Sequence, residues 1–432
     1  MEKPDSKLWE SSPWSSGDVS DPYAFDIAHY TRLLVENSKR LFVQDDQLWI
    51  KVMEIGHRDI MFKSSLEFEA YLRSPEFKGT RLILIPQRFS WDNLLISESG
   101  LKLLLSRFNI FPAFLDVVNA FGAQTSSESD SISTSHTHVR ANISECCYVT
   151  RHVDDHAREE SEDSWSIRQM GVYHQRNVWS NADTFIILNP SKTFLQRLKD
   201  AQTVSGRLPT WRDIHILAAS CATTPWRRYI SYMESKLAQL KTKAHLSAVA
   251  ESETPDTRPK LKIEFADTQN TGVIHDKLHK VDHILGSNLN VFSILSTVMS
   301  GRDGIQAHFD GRDNRLAFCT NETEMQQRRV NTLFQRINAA SGLMQNIIDF
   351  RGLEALKTSS EMSTELSRLA QKNAEKSQKD ARTITTITIF TMIYLPASFV
   401  SVSSQISWHA LRTFKTTDRA RVFKAIFKYG IR

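Results

Sequence analysis

The sequence is poor in cysteine. There are four in 432 residues, Cys146, Cys147, Cys221 and Cys319, with one vicinal pair and no CxxC. Neither a zinc-ribbon spacing nor the framework of a disulfide-stapled secreted domain is visible, so a reducing compartment is the simpler setting. The opening MEKPDSKLWESSPW is charged and contains no apolar run of signal-peptide length, so membrane targeting is expected from elsewhere in the chain. The common catalytic signatures are missing too: there is no GxSxG, no GxxxxGK followed by Ser or Thr, no GxGxxG after a strand and no HExxH. No enzymatic activity and no cofactor are therefore expected. Proline is absent between Thr320 and Leu395, which permits one or two very long helices there.

With 41% hydrophobic residues the chain can bury a core without disulfides or metal clips. From Tyr23 to Phe121, short apolar runs such as QLWIKVMEIG and RLILIPQRF alternate with charged turns, the pattern of buried strands interleaved with helices. The serine-rich stretch 123–140 has no apolar period and reads as an exposed loop. ECCYVTRHVD, WSIRQMGVYHQ and DTFIILNP are β-branched and aromatic, which predicts further strands of the same sheet, with Asn189 and Pro190 closing one. Helical spacing follows between Thr193 and Lys243, where Trp211, Ile214, Leu217 and Ala218 share a face.

Beyond a polar linker at 247–260 the pattern changes to apolar residues three and four apart, among them Val281, Ile284, Leu285, Leu289, Phe292 and Leu295. A second such run begins at Val330 and Leu333 and loses its stripe by RLAQKNAEKSQKDAR, which is charged on most faces and suits a helix crossing solvent. After Arg382 the charges stop. The 26 residues Thr383–Trp408 carry none, and a helix of that length exceeds the roughly 30 Å hydrocarbon core of a bilayer. The alternative is a buried core segment or strand, which Thr, Ile and Val would also suit.

The net charge of +5 lies almost wholly in the tail, where Arg412, Lys415, Arg419, Arg421, Lys424, Lys428 and Arg432 face one acid, Asp418. Such a tail beside an apolar segment suits anionic lipid headgroups rather than nucleic acid, unless it is simply solvated. The expected organisation is a disordered N-terminus over 1–22 and a mixed α/β domain, a sheet with flanking helices, over 23–265. A helical stalk over 266–382, one transmembrane helix over 383–407 and a basic amphipathic tail over 408–432 follow.

An α/β domain, a long stalk and a membrane segment reading IYLPASFVS together resemble the CorA family of magnesium transporters, especially its divergent fungal branch. WSIRQMGVYHQ, from Trp165 to Gln175, is similar to a recurrent stretch of the fungal N-terminal domain. YLPASFV resembles the family's first membrane helix, in which a Leu-Pro or Met-Pro precedes a small or hydroxyl residue and then Phe. In that family this helix lines the pore of a pentamer, a Gly-Met-Asn loop follows, and a second membrane helix packs outside. Here the loop position falls on Gln405, Ile406 and Ser407, and the tail is interrupted by cations, so the resemblance stops after the first membrane helix.

The resemblance implies a membrane protein, single-pass, with its soluble domain in the cytosol and the stalk and membrane helix joining copies into a homo-oligomer. Mg2+ or another divalent cation would be the transported ion. Thr385, Thr388, Thr391, Pro396 and Ser398 are the pore-lining candidates; the alternative for the hydroxyls is bonding to carbonyls one turn back. The chain would act as a transporter or as a transporter-derived subunit, alone or with full-length relatives. The alternative is a non-transporting, membrane-tethered interaction or assembly protein. Independently of the resemblance, His275, His279 and His283 fall four apart on one helix face and form a candidate transition-metal site, or else a solvated face. HVDDH, from His152 to His156, has a similar look near an expected loop.

Overall fold

The alternating apolar runs fold as strands of one mixed sheet. A computed structural model describes residues 14, 25–74, 77–123, 134–156, 164–204, 208–247, 262–300 and 311–413. The strands are β1 (Ile50–Glu54), β2 (Ile60–Phe62), β3 (Thr80–Ile85), β4 (Ser135–Arg140), β5 (Ile143–Asp155), β6 (Trp165–Asn177) and β7 (Ala182–Leu188). Their order is β2-β1-β3-β7-β6-β5-β4. β3 and β7 pair in parallel, with Leu82 opposite Phe185, and the other neighbours are antiparallel. β7 ends where expected. Asn189 takes a φ of +52°, and its N–H donates to the Ile85 carbonyl at 2.8 Å.

Helices cover both faces. On one lie α1 (Ile27–Leu41), α2 (Ser65–Leu72), α3 (Glu98–Arg107) and α4 (Phe114–Asn119), packed on Ile83, Cys147, Val149, Tyr173, Ile186 and Leu188. On the other lie α5 (Lys192–Val204), α6 (Trp211–Thr223), α8 (Phe265–Ser300) and the first turns of α9 (Gly311–Thr413), packed on Leu84, Cys146, Tyr148, Val172, Phe185 and Ile187. α7 (Trp226–Leu246) packs against α8. Successive strand residues point to opposite faces, so the vicinal Cys146 and Cys147 enter different cores. All four cysteines are free and buried.

α9 returns along α8. Thr271 meets Met344 and His279 meets Phe334, so the two run antiparallel there, with Leu278, Val281, Leu285, Val330, Leu333 and Ile337 buried. The chain divides into two compact units, Met1–Asn346 and Ile347–Arg432.

Three boundaries differ from the sequence reading. The disordered N-terminus over 1–22 fails at the one residue of it that is described: the Trp14 indole is buried and donates to the Ile110 carbonyl at 2.7 Å. The rest of that segment lies outside the described residues. The loop over 123–140 ends early, because 135–140 is β4; SHTHVR shows no apolar alternation because this strand places Val139 exposed and only His138 buried. The linker over 247–260 is described at Ser247 alone, and there the hydroxyl is anchored, accepting from the Ile263 N–H at 3.1 Å. The domain boundary at 265 falls inside the first unit, because Val291, Phe292 and Leu295 of α8 bury into the sheet rather than onto a separate stalk. His152, near an expected loop, is buried within β5, where ECCYVTRHVD predicts a strand.

The stretch WSIRQMGVYHQ forms most of β6, and its glycine has a packing reason. A Cβ on Gly171 would lie 2.9 Å from both Val117 and Phe121 of the facing segment. We expect Gly171→Ala to destabilise the protein by about 1–3 kcal/mol, the usual cost of overpacking. Gly342→Ala, with nothing within 4 Å of the added carbon, should instead stabilise by up to about 1 kcal/mol through helix propensity. Urea titrations of the two variants check the opposite signs.

Candidate functional site

The second unit is the continuation of α9, from Ile347 to Thr413, and it is bare. Ile384, Ile387, Phe390, Met392, Ile393, Leu395, Phe399 and Val400 are each more than half exposed. The most apolar window of the helix has none of its residues buried, which a core segment of a soluble domain would not show. It is the one described helix long and apolar enough to cross a membrane. The stretch before it is also exposed but charged, with pairs such as Arg368 and Glu365 at 2.7 Å. Surface pairs of this kind contribute about 0–1 kcal/mol and suit a solvated helix.

The candidate hydroxyls bond within the helix. Thr385 donates to Ala381 O at 2.7 Å, Thr388 to Ile384 O at 2.8 Å, Thr391 to Ile387 O at 3.0 Å and Ser398 to Leu395 O at 3.0 Å. Each donated hydrogen leaves the oxygen lone pairs directed outward. At about 100° per residue, Thr385 and Pro396 share one line of the helix, Thr391 and Ser398 another, with Thr388 between them. The five occupy a band roughly 160° wide. Ile384, Met392, Leu395 and Phe399 share that band, while Ile389, Phe390, Ile393, Tyr394 and Val400 lie opposite, with Thr386 among them. Pro396 sits inside the helix without breaking it, and the carbonyl it leaves without a helical donor is tolerable where hydroxyls lie close by. Arg412 falls in the last turn of α9, while Lys415, Arg419, Arg421, Lys424 and Lys428 lie outside the described residues.

Of the three stalk histidines, the structure brings two together. The rings of His275 and His279 lie 4.5 Å apart and both pack on Phe334, while His283 is exposed one turn further on. Among the described residues, the one group of three His, Cys, Asp or Glu side chains with ligand atoms within 4.8 Å of one another lies elsewhere: Cys146, His174 and His215, all buried.

This second group was invisible in the sequence, because its members come from β5, β6 and α6. Only the pleat and the cap of α6 bring them together. The N–H of Thr210 donates to the Asp213 carboxylate at 2.9 Å, fixing the first turn that carries His215 inward. A hydrogen-bonded chain then runs through the core. Tyr148 Oη and His215 Nδ1 are 2.8 Å apart, His215 Nε2 and His174 Nδ1 3.0 Å, and His174 Nε2 and Asp183 Oδ1 3.2 Å. A carboxylate at one end sets the direction: His174 Nε2–H donates to Asp183, His215 Nε2–H to His174, and the Tyr148 hydroxyl to His215. Phe185 stacks on His174 at 4.1 Å. Burial pushes both imidazoles below the usual histidine range and the Cys146 thiol up to about 12. A cavity of about 440 Å³ reaches Cys146 and His174, lined also by Trp211 and Met299, with the exposed Val139 and Val178 among its walls.

A mixed-sheet domain with flanking helices, followed by a long bare helix apolar enough to span a bilayer, defines an α/β protein with a candidate membrane helix. The family model of the CorA-like transporters matches residues 19–245, and the chain belongs to that family. Its members are membrane-located transporters, not enzymes. Among curated proteins, none matches the sequence. Similar solved structures include the complete CorA magnesium transporter from Methanocaldococcus jannaschii, at 10% identity over 73% of this chain and 82% of that one, with a TM-score of 0.46. The soluble domain of the same CorA is 12% identical over 69% and 97%, with a TM-score of 0.42. The cytoplasmic domain of ZntB from Vibrio parahaemolyticus is 8% identical over 70% and 98%, with a TM-score of 0.43. The family assignment rests on the sequence match alone.

Proposed function

We propose that this protein acts in divalent cation transport, as a homo-oligomeric transporter or transporter subunit whose path is lined by the helix over 383–407. The observation that carries this reading is the bare, uncharged helix on a chain of the CorA-like family. A lone helix would present its hydroxyl band to lipid. A ring of copies turns that band inward, its hydroxyls together with Met392, Leu395 and Phe399, and leaves Ile389, Phe390, Ile393 and Val400 toward lipid. Hard divalent ions prefer oxygen ligands, and each back-bonded hydroxyl still offers lone pairs to a hydrated cation. Mg2+ is the proposed ion and a single pass the proposed topology, with the α/β domain on the cytosolic side, the stalk and membrane helix joining the copies and the basic tail at the headgroups.

The test is growth rescue of a cell lacking its own magnesium uptake. Wild-type chain should restore growth at low Mg2+. Exchange of Thr385, Thr388 and Thr391 together for Val should keep membrane retention and slow uptake by about tenfold or more, which is roughly 1.4 kcal/mol on the barrier. Absence of rescue by a membrane-retained wild type would contradict the proposal. A second reading, a membrane-tethered assembly protein without transport, is favoured by one feature: Gln405, Ile406 and Ser407 stand where the family's Gly-Met-Asn would. It predicts retention without rescue, or rescue only beside a full-length relative.

A further inference from the structure

The group Cys146, His174 and His215 has the geometry of a metal centre. From it we infer that the α/β unit holds a resident zinc-class cation on Cys146 Sγ, His174 Nδ1 and His215 Nε2, with the fourth position open to the adjoining cavity. This site lies in Met1–Asn346 and is independent of the transport path proposed above.

Three observations converge on it. The donor set, one thiolate and two imidazoles, selects a borderline-soft divalent ion of the zinc class over Mg2+. The two nitrogens already stand close to the separation a tetrahedral ion sets. Tetrahedral zinc bonds of about 2.0–2.1 Å to nitrogen and 2.3 Å to sulfur set N···N near about 3.3 Å and N···S near about 3.6 Å. Here the two nitrogens are 3.0 Å apart, and the sulfur, within 4.8 Å of both histidines' ligand atoms, would move inward by up to about 1 Å to reach bonding distance. The outer shell is also built. Metal-bound histidines donate their other ring N–H to a carboxylate or another oxygen, and His174 Nε2 already faces Asp183 Oδ1 while His215 Nδ1 faces the Tyr148 hydroxyl. A hydrogen-bonded chain alone explains the histidines and Asp183. It does not explain a cysteine sulfur within 4.8 Å of both histidines' ligand atoms beside a cavity of about 440 Å³.

Binding balances as follows. The Cys146 thiol gives up one proton to solvent and its sulfur bonds the ion. His174 Nδ1 already holds a lone pair. His215 moves its proton from Nε2 to Nδ1, and the Tyr148 hydroxyl rotates from donor to acceptor. The His174–His215 hydrogen bond is replaced by two metal–nitrogen bonds. One proton is released per ion, and no electron moves.

The test uses the full chain, purified in detergent and stripped with chelator. One equivalent of Co2+ should give a thiolate-to-cobalt charge-transfer band and intense tetrahedral visible bands, both bleached by Zn2+. Cys146→Ser should lose the charge-transfer band, and Asp183→Asn should weaken Zn2+ binding by about 10- to 100-fold. Replacing His275, His279 and His283 together by Ala should change neither. A charge-transfer band that persists in Cys146→Ser, or vanishes in the triple histidine variant, overturns the assignment. X-ray absorption on zinc-loaded wild type decides without any variant: one sulfur and two or more nitrogens in the first shell support the site, and a shell without sulfur overturns it in favour of a hydrogen-bonded chain only.

Discussion

Ile393→Arg is expected to release the protein from carbonate-washed membranes into the soluble fraction. Ile393 is the midpoint of the densest apolar stretch, Ile384 to Val402, so an arginine there lies about 13 Å along the helix from either end, beyond easy snorkelling reach. At the centre of a span, arginine costs about 2.5–3.5 kcal/mol, and isoleucine contributes a few tenths favourably, so insertion shifts by more than about a hundredfold. Leu353→Arg is the informative control. Leu353 and Ile393 are both 66% exposed and lie on the same helix. If α9 were solvated along its length, the two substitutions would behave alike. The membrane reading requires that only the second one matter, since Leu353 lies among charged residues. Equal retention of both variants would remove the span.

The second large effect is expected at Asn288→Ala. β5 is much longer than its partner β4, whose pairing stops at Tyr148, so among the described residues the outer edge of β5 beyond that point faces no strand. Asn288 of α8 closes the gap. Its Oδ1 accepts from the Arg151 N–H at 3.1 Å and its Nδ2 donates to the Arg151 carbonyl at 2.8 Å, with the side chain fully buried. A buried backbone group deprived of its partner costs about 1–3 kcal/mol, and alanine removes a partner from two. The Trp226 indole, 3.4 Å from the same carbonyl, relieves part of the loss, so about 2–4 kcal/mol is expected. Asn288→Asp should fall between, keeping the acceptor and losing the donor. Thermal or urea unfolding followed by near-ultraviolet dichroism would read this order, and an alanine variant as stable as wild type would contradict it.

The contrast between these two positions shows what the sequence could reveal. The bare helix is legible because lipid imposes a one-dimensional rule: a long run without charge, read directly from Thr383 to Trp408. The sheet is legible for a similar reason, since β-branched runs such as TFIIL bury on both faces and need no alternation. Asn288 gave no sign. It sits within an amphipathic helix, and its role depends on β4 being shorter than β5, a tertiary fact. The buried group of Cys146, His174 and His215 was hidden likewise, because the cysteine was read as half of a vicinal pair while the pleat sends Cys146 and Cys147 into opposite cores. The only local clue was an i,i+2 alternation in CCYV that aims Cys146 and Tyr148 the same way. The histidines that did stand out, His275, His279 and His283, stood out through helical spacing alone, and two of them pack on Phe334. The boundary at 265 failed because a helix that buries one face looks the same whether it packs on a sheet or on another helix.

The account turns on whether a bare helix on a CorA-like chain carries ions. Purified full-length protein in liposomes loaded with a magnesium-sensitive dye answers this directly. We predict Mg2+ entry well above that of protein-free liposomes, lost when Ile393→Arg prevents insertion. Wild-type protein that resists carbonate extraction from the same liposomes yet admits no Mg2+ would contradict it.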